Sequence, residues 1–528
     1  MCAEAGAGHS KRVRSCCVVV GCGLIAGVPV LLNHVGKAGK EEGENLGRIL
    51  KCLIPVKLSL DVVTSLQRGD LKLLRQALDS HEDQHHAMLE PHKSKEHHLV
   101  VHRTMTTIVT KSAPLVVRPS QPTPTENIEL SSLDKSLDGL YLSLVLVFDH
   151  PIHETAQTLK SALSQALVHY YPIAGRIEVA AEDGKHHLAC NGEGVLFVAA
   201  SANATLEHVR FIEQPFSAEL LKDLTVCSSG KAWSHADPLL LMQVTEFACG
   251  GFVVAVTWNH VVADGQGMGQ FMVAVGELAR GLSQLSVVPF RCVKSLPVLS
   301  PLTVSAFQQM LSLDRLDLSN FDITLPSGLI SSIKSDYASN YSGRPCTQFE
   351  VTAAVLWQCR TRAAMLDPGA PAPFFFAVNM RKCITAKEGF YGNFSFTQVV
   401  FATSDTVVSS PTRDLVKLIK DAKEKISDVT KNNIVDSTCV ANMERLAMIS
   451  KYNAFSITSW RNLGFEAVNF GSGTPARVTC TFGSVALPFC ILCPSSKVQD
   501  GAIVVSMCVK EEHTIGFLNE LARLCKQN

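Results

Sequence analysis

The sequence predicts an α/β protein built of mixed sheets flanked by helices, and three observations carry that prediction. From residue 105 onward, short apolar runs rich in β-branched residues alternate with stretches of helical spacing. The 528 residues are 46% hydrophobic with few aromatics, enough for two or three domains around a large core. The apolar run 252–258 passes almost directly into a glycine-rich helical stretch, so His260 stands at a strand-to-helix junction. Such junctions are where α/β proteins display working side chains on a rigid scaffold.

The elements follow in chain order. Residues 106–124 hold four prolines among short β-rich pieces. Residues 140–148 read as a strand, and 155–170 as an amphipathic helix with Leu159, Leu163 and Leu167 on one face. Strands are expected near 177–179, 195–198 and 239–245, then at 252–258. Met268, Met272, Val275 and Leu278 recur at helical spacing and stop at Gly281, a suitable C-terminal cap. Residues 287–302, punctuated by Pro289, Pro297 and Pro301, lack periodicity and read as the connection between an N-terminal domain, 105–286, and a C-terminal domain, 303–528. In the second domain 348–364 and 414–429 have helical spacing, 374–379, 455–460, 477–482 and 502–509 read as strands, and 512–524 as a terminal helix.

Residues 1–104 differ in character, holding nine of the 18 histidines. Lys11, Arg12 and Arg14 precede the uncharged run 16–32, which has the outline of a signal peptide or short anchor, or else of an apolar strand and turn. Gly21-Cys-Gly-Leu-Ile-Ala26 satisfies a dinucleotide-binding spacing, but Pro29 interrupts the helix that must follow. His81-Glu-Asp-Gln-His85 has a metalloprotease spacing in an all-polar setting, where zinc chemistry needs a dry helical face and a third ligand. This front segment is expected to lie outside the catalytic fold, with membrane contact only if 16–32 is an anchor.

Lys+Arg and Asp+Glu number 48 each, which argues against a nucleic-acid footprint. Five of the 18 cysteines precede residue 60; those from Cys190 on are scattered singly through apolar surroundings, as reduced thiols of a cytoplasmic protein would be. The pair Cys490 and Cys493 has C-x-x-C spacing without a second pair, so no metal is expected there.

An imidazole titrates near working pH, so His260 is suited to take a proton from a hydroxyl or amine and return it. Asp264 is placed to cap the helix beginning near Gly265, a structural role. No G-x-S-x-G elbow occurs, which leaves direct attack on an activated acyl group, and a thioester is a suitable electrophile.

The stretch HVVADG at 260–265 resembles the HxxxDG signature of the plant BAHD acyl-CoA-dependent acyltransferases. VRPSQPTP at 117–124, LVHYYPIAGR at 167–176, the helix around 349–363, Val378-Asn-Met-Arg381 and Tyr391-Gly-Asn393 are similar to further family stretches, in family order. The likeness runs from Met105 to the C-terminus. It implies a two-domain fold like chloramphenicol acetyltransferase with a channel between the domains, His260 as general base, and Asp264 turned away to pair with Arg381. It further implies that Thr458 and Trp460 face the tetrahedral intermediate, with Ser459 toward the CoA side. The family's second signature, DFGWG, is replaced by NFGSG, so Asn469, Phe470, Gly471 and Gly473 would support the CoA side without the carboxylate and the large aromatic. Grass and taxane-type members are most similar at 458–470, which implies hydroxycinnamoyl or benzoyl donors. Acyl-CoA would be a co-substrate rather than a bound cofactor, the acceptor a small alcohol or amine, and the protein a monomer. The altered signature leaves a second reading, a catalytically weak paralogue acting as a binding or regulatory protein.

Overall fold

The computed structural model describes residues 107–180, 185–209, 218–226, 234–291, 296, 298–312, 315–364, 366–381, 388–425, 449–481, 485–495 and 500–527. The run 16–32 and both motif matches before residue 104 lie outside the described residues. In order, the chain forms β1 (Val109–Lys111), β2 (Leu115–Val117), β3 (Asn127–Glu129), α1 (Ser132–Ser136), β4 (Tyr141–Phe148), α2 (Thr155–His169), β5 (Arg176–Val179), β6 (His186–Ala189), β7 (Val195–Ala202), α3 (Ala218–Asp223), β8 (Leu240–Phe247), β9 (Phe252–Asn259) and α4 (Gly265–Ala279). It continues through α5 (Pro301–Ser312), β10 (Phe321–Leu325), α6 (Ser327–Asn340), α7 (Gln348–Ala363), β11 (Phe374–Asn379), β12 (Ser395–Val400), α8 (Ser404–Ser409), α9 (Thr412–Glu424), β13 (Phe455–Ser459), β14 (Arg477–Thr481), β15 (Phe489–Leu492), β16 (Ala502–Met507) and α10 (Glu511–Gln527).

Two mixed sheets organise these elements. The first has the order β1-β7-β8-β9-β4-β14, with β2 added beside β7; the second has the order β10-β16-β15-β13-β11-β12. In the first sheet β9 lies between β8 and β4, antiparallel to both, and each of its eight residues is buried. That is why it reads as one apolar run instead of alternating: a strand covered on both faces has no polar side. On one face Leu159, Leu163 and Leu167 of α2 and Met268, Phe271, Met272 and Val275 of α4 pack against Val254 and Val256. On the other, Val253 and Ala255 meet Leu220, Leu221 and Leu224. Each large side chain so buried contributes about 1.5–3 kcal/mol.

The second sheet packs against α7, whose first turn is closed by a capping box in which the Thr347 hydroxyl accepts from Glu350 N and the Glu350 carboxylate from Thr347 N. Val351, Ala354, Val355 and Trp357 of α7 join Phe374, Phe376, Phe455 and Ile457 in its core.

β14 departs from a sequential division of the chain. It lies beyond residue 302, yet pairs antiparallel with β4 at the edge of the first sheet, Thr479 opposite Val145. Its Arg477 reaches back to the second sheet, donating from Nη2 to Asp322 of β10 at 2.8 Å. Cys490 and Cys493 are both buried in the cores. Among the described residues no helix is long and apolar enough to cross a membrane.

Candidate active site

His260 is the first residue past β9, and its backbone stays tied to the sheet, N–H donating to Leu140 O at 2.8 Å. The chain turns at once, because Asn259 Oδ1 accepts from Val261 N at 3.0 Å. The side chain is thereby fixed at the strand end, in a residue that is half-buried. Its Nδ1 lies 2.9 Å from Asn393 Oδ1.

The protonation of that nitrogen follows from Asn393's other contacts. Asn393 Nδ2 donates to Asp134 Oδ1 at 2.8 Å and to His260 O at 2.7 Å, with Val261 O at 3.3 Å. All three are acceptors, so the amide nitrogen must be on that side and the amide oxygen must face the imidazole. An oxygen facing Nδ1 requires Nδ1–H, which leaves Nε2 with the free lone pair. Asp134 is itself held by the Ser131 backbone N–H at 3.0 Å and by Arg291 Nη2 at 3.1 Å. Burial among protein atoms pushes the His260 pKa below its usual value, with Asp264, the ring's own backbone, Asn393 and Asp134 offsetting part of the shift. The neutral imidazole is therefore favoured above that lowered pKa.

Asp264 faces the other way. It caps α4, Oδ1 accepting from Gly267 N at 2.9 Å. Arg381 Nη1 and Nη2 grip the two oxygens at 2.8 and 3.0 Å, and Phe394 N adds a contact of 3.1 Å. Arg381 also donates from Nη2 to Gly392 O at 2.7 Å and lies over the Phe390 ring. The Asp264 side chain is only 5% exposed, and its oxygens are fully occupied with donors.

The glycines opening α4 bring the rest of the chain close. A Cβ at Gly267 would fall 1.8 Å from Tyr391 O, and one at Gly269 1.9 Å from Leu463 O, so backbone passes where side chains would stand. At Gly265 a Cβ would meet Leu463 Cδ1 at 2.7 Å.

Thr458 and Ser459 end β13 partly buried, and Ser459 Oγ accepts from Arg461 N at 3.3 Å. The Trp460 ring packs on Trp258, two residues before His260, with centroids 6.3 Å apart, and on Phe465 at 5.3 Å. The NFGSG stretch sits elsewhere, against the later part of α4 and the first sheet: Phe470 tilts on Phe148 at 5.1 Å, and a Cβ at Gly276 would lie 2.6 Å from Asn469 O. Asn469 Oδ1 accepts from Gly471 N at 2.8 Å and Gly473 N at 3.2 Å, so an amide oxygen closes this turn. Both glycines have positive φ, 119° and 92°. Among the described residues the Ser472 hydroxyl has no hydrogen-bond partner.

A cavity of about 450 Å³ lies beside the support network, lined by Glu126, His169, Tyr171, Arg291 and Tyr391 among others. His260 is not in its wall, so the cavity borders Arg291, behind the imidazole's support, rather than the ring. Asn393 and Asp134 were not singled out by sequence reasoning; the only signal was that Asn393 closes the quoted Tyr391-Gly-Asn393 stretch.

The chain matches the family model described as Transferase family over residues 107–523. It is 41% identical over 442 residues to acyl transferase 15 of Oryza sativa subsp. japonica, covering 80% of this chain and 99% of that one. It is 34% identical over 450 residues to myricetin 3-O-glucosyl 1,2-rhamnoside 6'-O-caffeoyltransferase AT2 of Crocosmia x crocosmiiflora, covering 79% and 99%. Of solved structures, vinorine synthase superposes with a TM-score of 0.65 at 22% identity, covering 79% of this chain and 98% of that one. TRI101 of F. sporotrichioides, complexed with coenzyme A and T-2, gives 0.59 at 17% identity, covering 76% and 99%. These likenesses show the chloramphenicol acetyltransferase-like fold.

Proposed function

This chain belongs to the Transferase family, the BAHD acyltransferases, and from that premise we propose that it moves an acyl group from acyl-CoA to a hydroxyl or amine of a small plant metabolite, with His260 as general base. The observation that carries the reading is the Asn393 amide, whose nitrogen is committed to oxygen acceptors and whose oxygen therefore holds His260 Nδ1 protonated. Nε2 then takes the acceptor's proton as its oxygen or nitrogen attacks the thioester carbonyl. When the tetrahedral intermediate collapses, the C–S bond breaks and Nε2–H returns the proton to the departing thiolate.

Asp264 has no part in proton transfer on this reading; its oxygens are engaged by Arg381, Gly267 N and Phe394 N. Thr458 and the Trp460 indole would stabilise the oxyanion, which the packing of Trp460 on Trp258 supports. Ser459, Asn469, Phe470, Gly471 and Gly473 would serve the CoA side. The halves 105–286 and 303–528 would form a channel admitting acyl-CoA and acceptor from opposite sides of His260. Coenzyme A in the TRI101 complex supports a CoA co-substrate, and the caffeoyltransferase relative supports an aromatic acyl group.

The test is thiol release from a panel of CoA thioesters with mixed alcohol and amine acceptors. Acceptor-dependent release that His260→Ala lowers about 10²- to 10⁴-fold is expected. Release that does not need His260, or none with any pair, would sink the proposal.

A further inference from the structure

We propose that Asp138, His186 and His235 form a binding site for one divalent transition-metal ion of the zinc class. Asp138 lies in the turn between α1 and β4, His186 opens β6, and His235 precedes β8. Asp138 Oδ2 is 3.3 Å from His186 Nδ1 and 3.0 Å from His235 Nε2, and the three ligand atoms all lie within 4.8 Å of one another. A tetrahedral ion with bonds of about 2.0–2.1 Å spaces its ligand atoms about 3.3 Å apart. The two carboxylate-to-imidazole spacings are already near that value, and the two imidazole nitrogens lie within 4.8 Å of each other. The rings meet edge to face with centroids 4.7 Å apart, each presenting a nitrogen to the same carboxylate.

A second, independent observation is the other oxygen of that carboxylate. The Asp138 side chain is 8% exposed, and Oδ1 has no hydrogen-bond partner among the described residues. Leaving a buried acceptor unpaired is unfavourable, and a cation held among the three groups offsets the charge that the two imidazoles alone leave incompletely satisfied. Two imidazoles and one carboxylate favour zinc, cobalt or nickel over magnesium and calcium, which prefer oxygen cages. No sequence spacing announces the site, because its histidines lie 48 and 97 residues from Asp138. An ion here would tie two segments, β6 and the approach to β8, to the turn whose Leu140 carbonyl accepts from His260 N, so the role we assign it is structural.

The test uses the full chain after treatment with a chelator. Zinc is measured by mass spectrometry after equilibrium dialysis, and cobalt by its visible absorption. Because the front segment carries nine histidines of its own, the reading is the difference between wild type and the His186→Gln/His235→Gln variant: one equivalent of metal, with loss of the corresponding cobalt bands. Equal stoichiometry and spectra in the two proteins would overturn the proposal. A measurement on wild type alone guards against a variant that fails to fold. With zinc at ten times its dissociation constant, acylation of His186 and His235 by diethyl pyrocarbonate should slow about tenfold, as follows from the fraction left unbound. Equal modification of both histidines with and without zinc would refute the site.

Discussion

His260 and Asp264 are four residues apart, yet their surroundings are opposite in kind. His260 is half-buried, and its ring is held at one nitrogen by one amide. Asp264 is buried and receives hydrogen bonds from Arg381, Gly267 N and Phe394 N. A group that must exchange a proton needs an unpaired atom, and a group that must hold a loop needs none. The junction between β9 and α4 supplies both: the strand end projects His260, and the first turn of the helix buries Asp264.

The largest test of this contrast is His260→Ala. Folding should be near that of wild type while turnover falls about 10²- to 10⁴-fold, the usual worth of general-base catalysis. The pH dependence adds a sign. Burial lowers the imidazole pKa, so the neutral base persists below the ordinary histidine value of about 6.5. Activity should be lost only as pH falls through that lowered pKa, and an acid limb of kcat/KM at or above the ordinary value would contradict the geometry.

Asp264→Ala should break the other side of the comparison. Removing one partner of a buried ion pair costs about 3–5 kcal/mol, seen as a lower denaturation midpoint, with activity declining through misplacement of His260. Adding Arg381→Ala should cost less than the sum of the single changes. A stable Asp264→Ala protein with a purely chemical defect would erase the distinction.

Asn393→Ala separates orientation from chemistry. It takes the acceptor from Nδ1 and an amide donor from Asp134, worth about 1–3 kcal/mol, so kcat should fall about five- to 150-fold. A variant with unchanged kcat would show that the amide does not set the tautomer.

The smallest effect is expected at the altered signature. In Asn469→Asp a carboxylate would accept the same two backbone N–H groups that the amide oxygen now accepts. Stability should change by less than about 1 kcal/mol, with turnover nearly constant. With Ser472→Trp added, a lower KM for acyl-CoA is expected; collapse of folding would show that the turn has repacked around the smaller residue.

Much of this was legible from the chain alone, for physical reasons. β4, β9 and α2 announced themselves because their burial imposes a period or an unbroken apolar run. α6, SGLISSIKSDYASN, was missed because its polar, serine-rich sequence leaves few apolar positions to mark a face. β12, SFTQVV, mixes polar and apolar residues without an unbroken apolar run, and β15 is only four residues long. The pairing of β14 with β4 is invisible locally, since a buried strand carries no mark of its partner. Asn393 escaped for the same reason: its partners His260 and Asp134 lie 133 and 259 residues away.

The position of β14 has a consequence for synthesis. As the chain leaves the ribosome, β1, β2, β4, β7, β8 and β9 are all available before residue 260, but the outer edge of β4 lacks its neighbour until Arg477–Thr481 emerges. An open strand edge invites pairing with other nascent chains. The first sheet therefore cannot be completed on the ribosome until residue 481 has been made, and a chain truncated before Arg477 leaves the strand next to the His260 strand exposed.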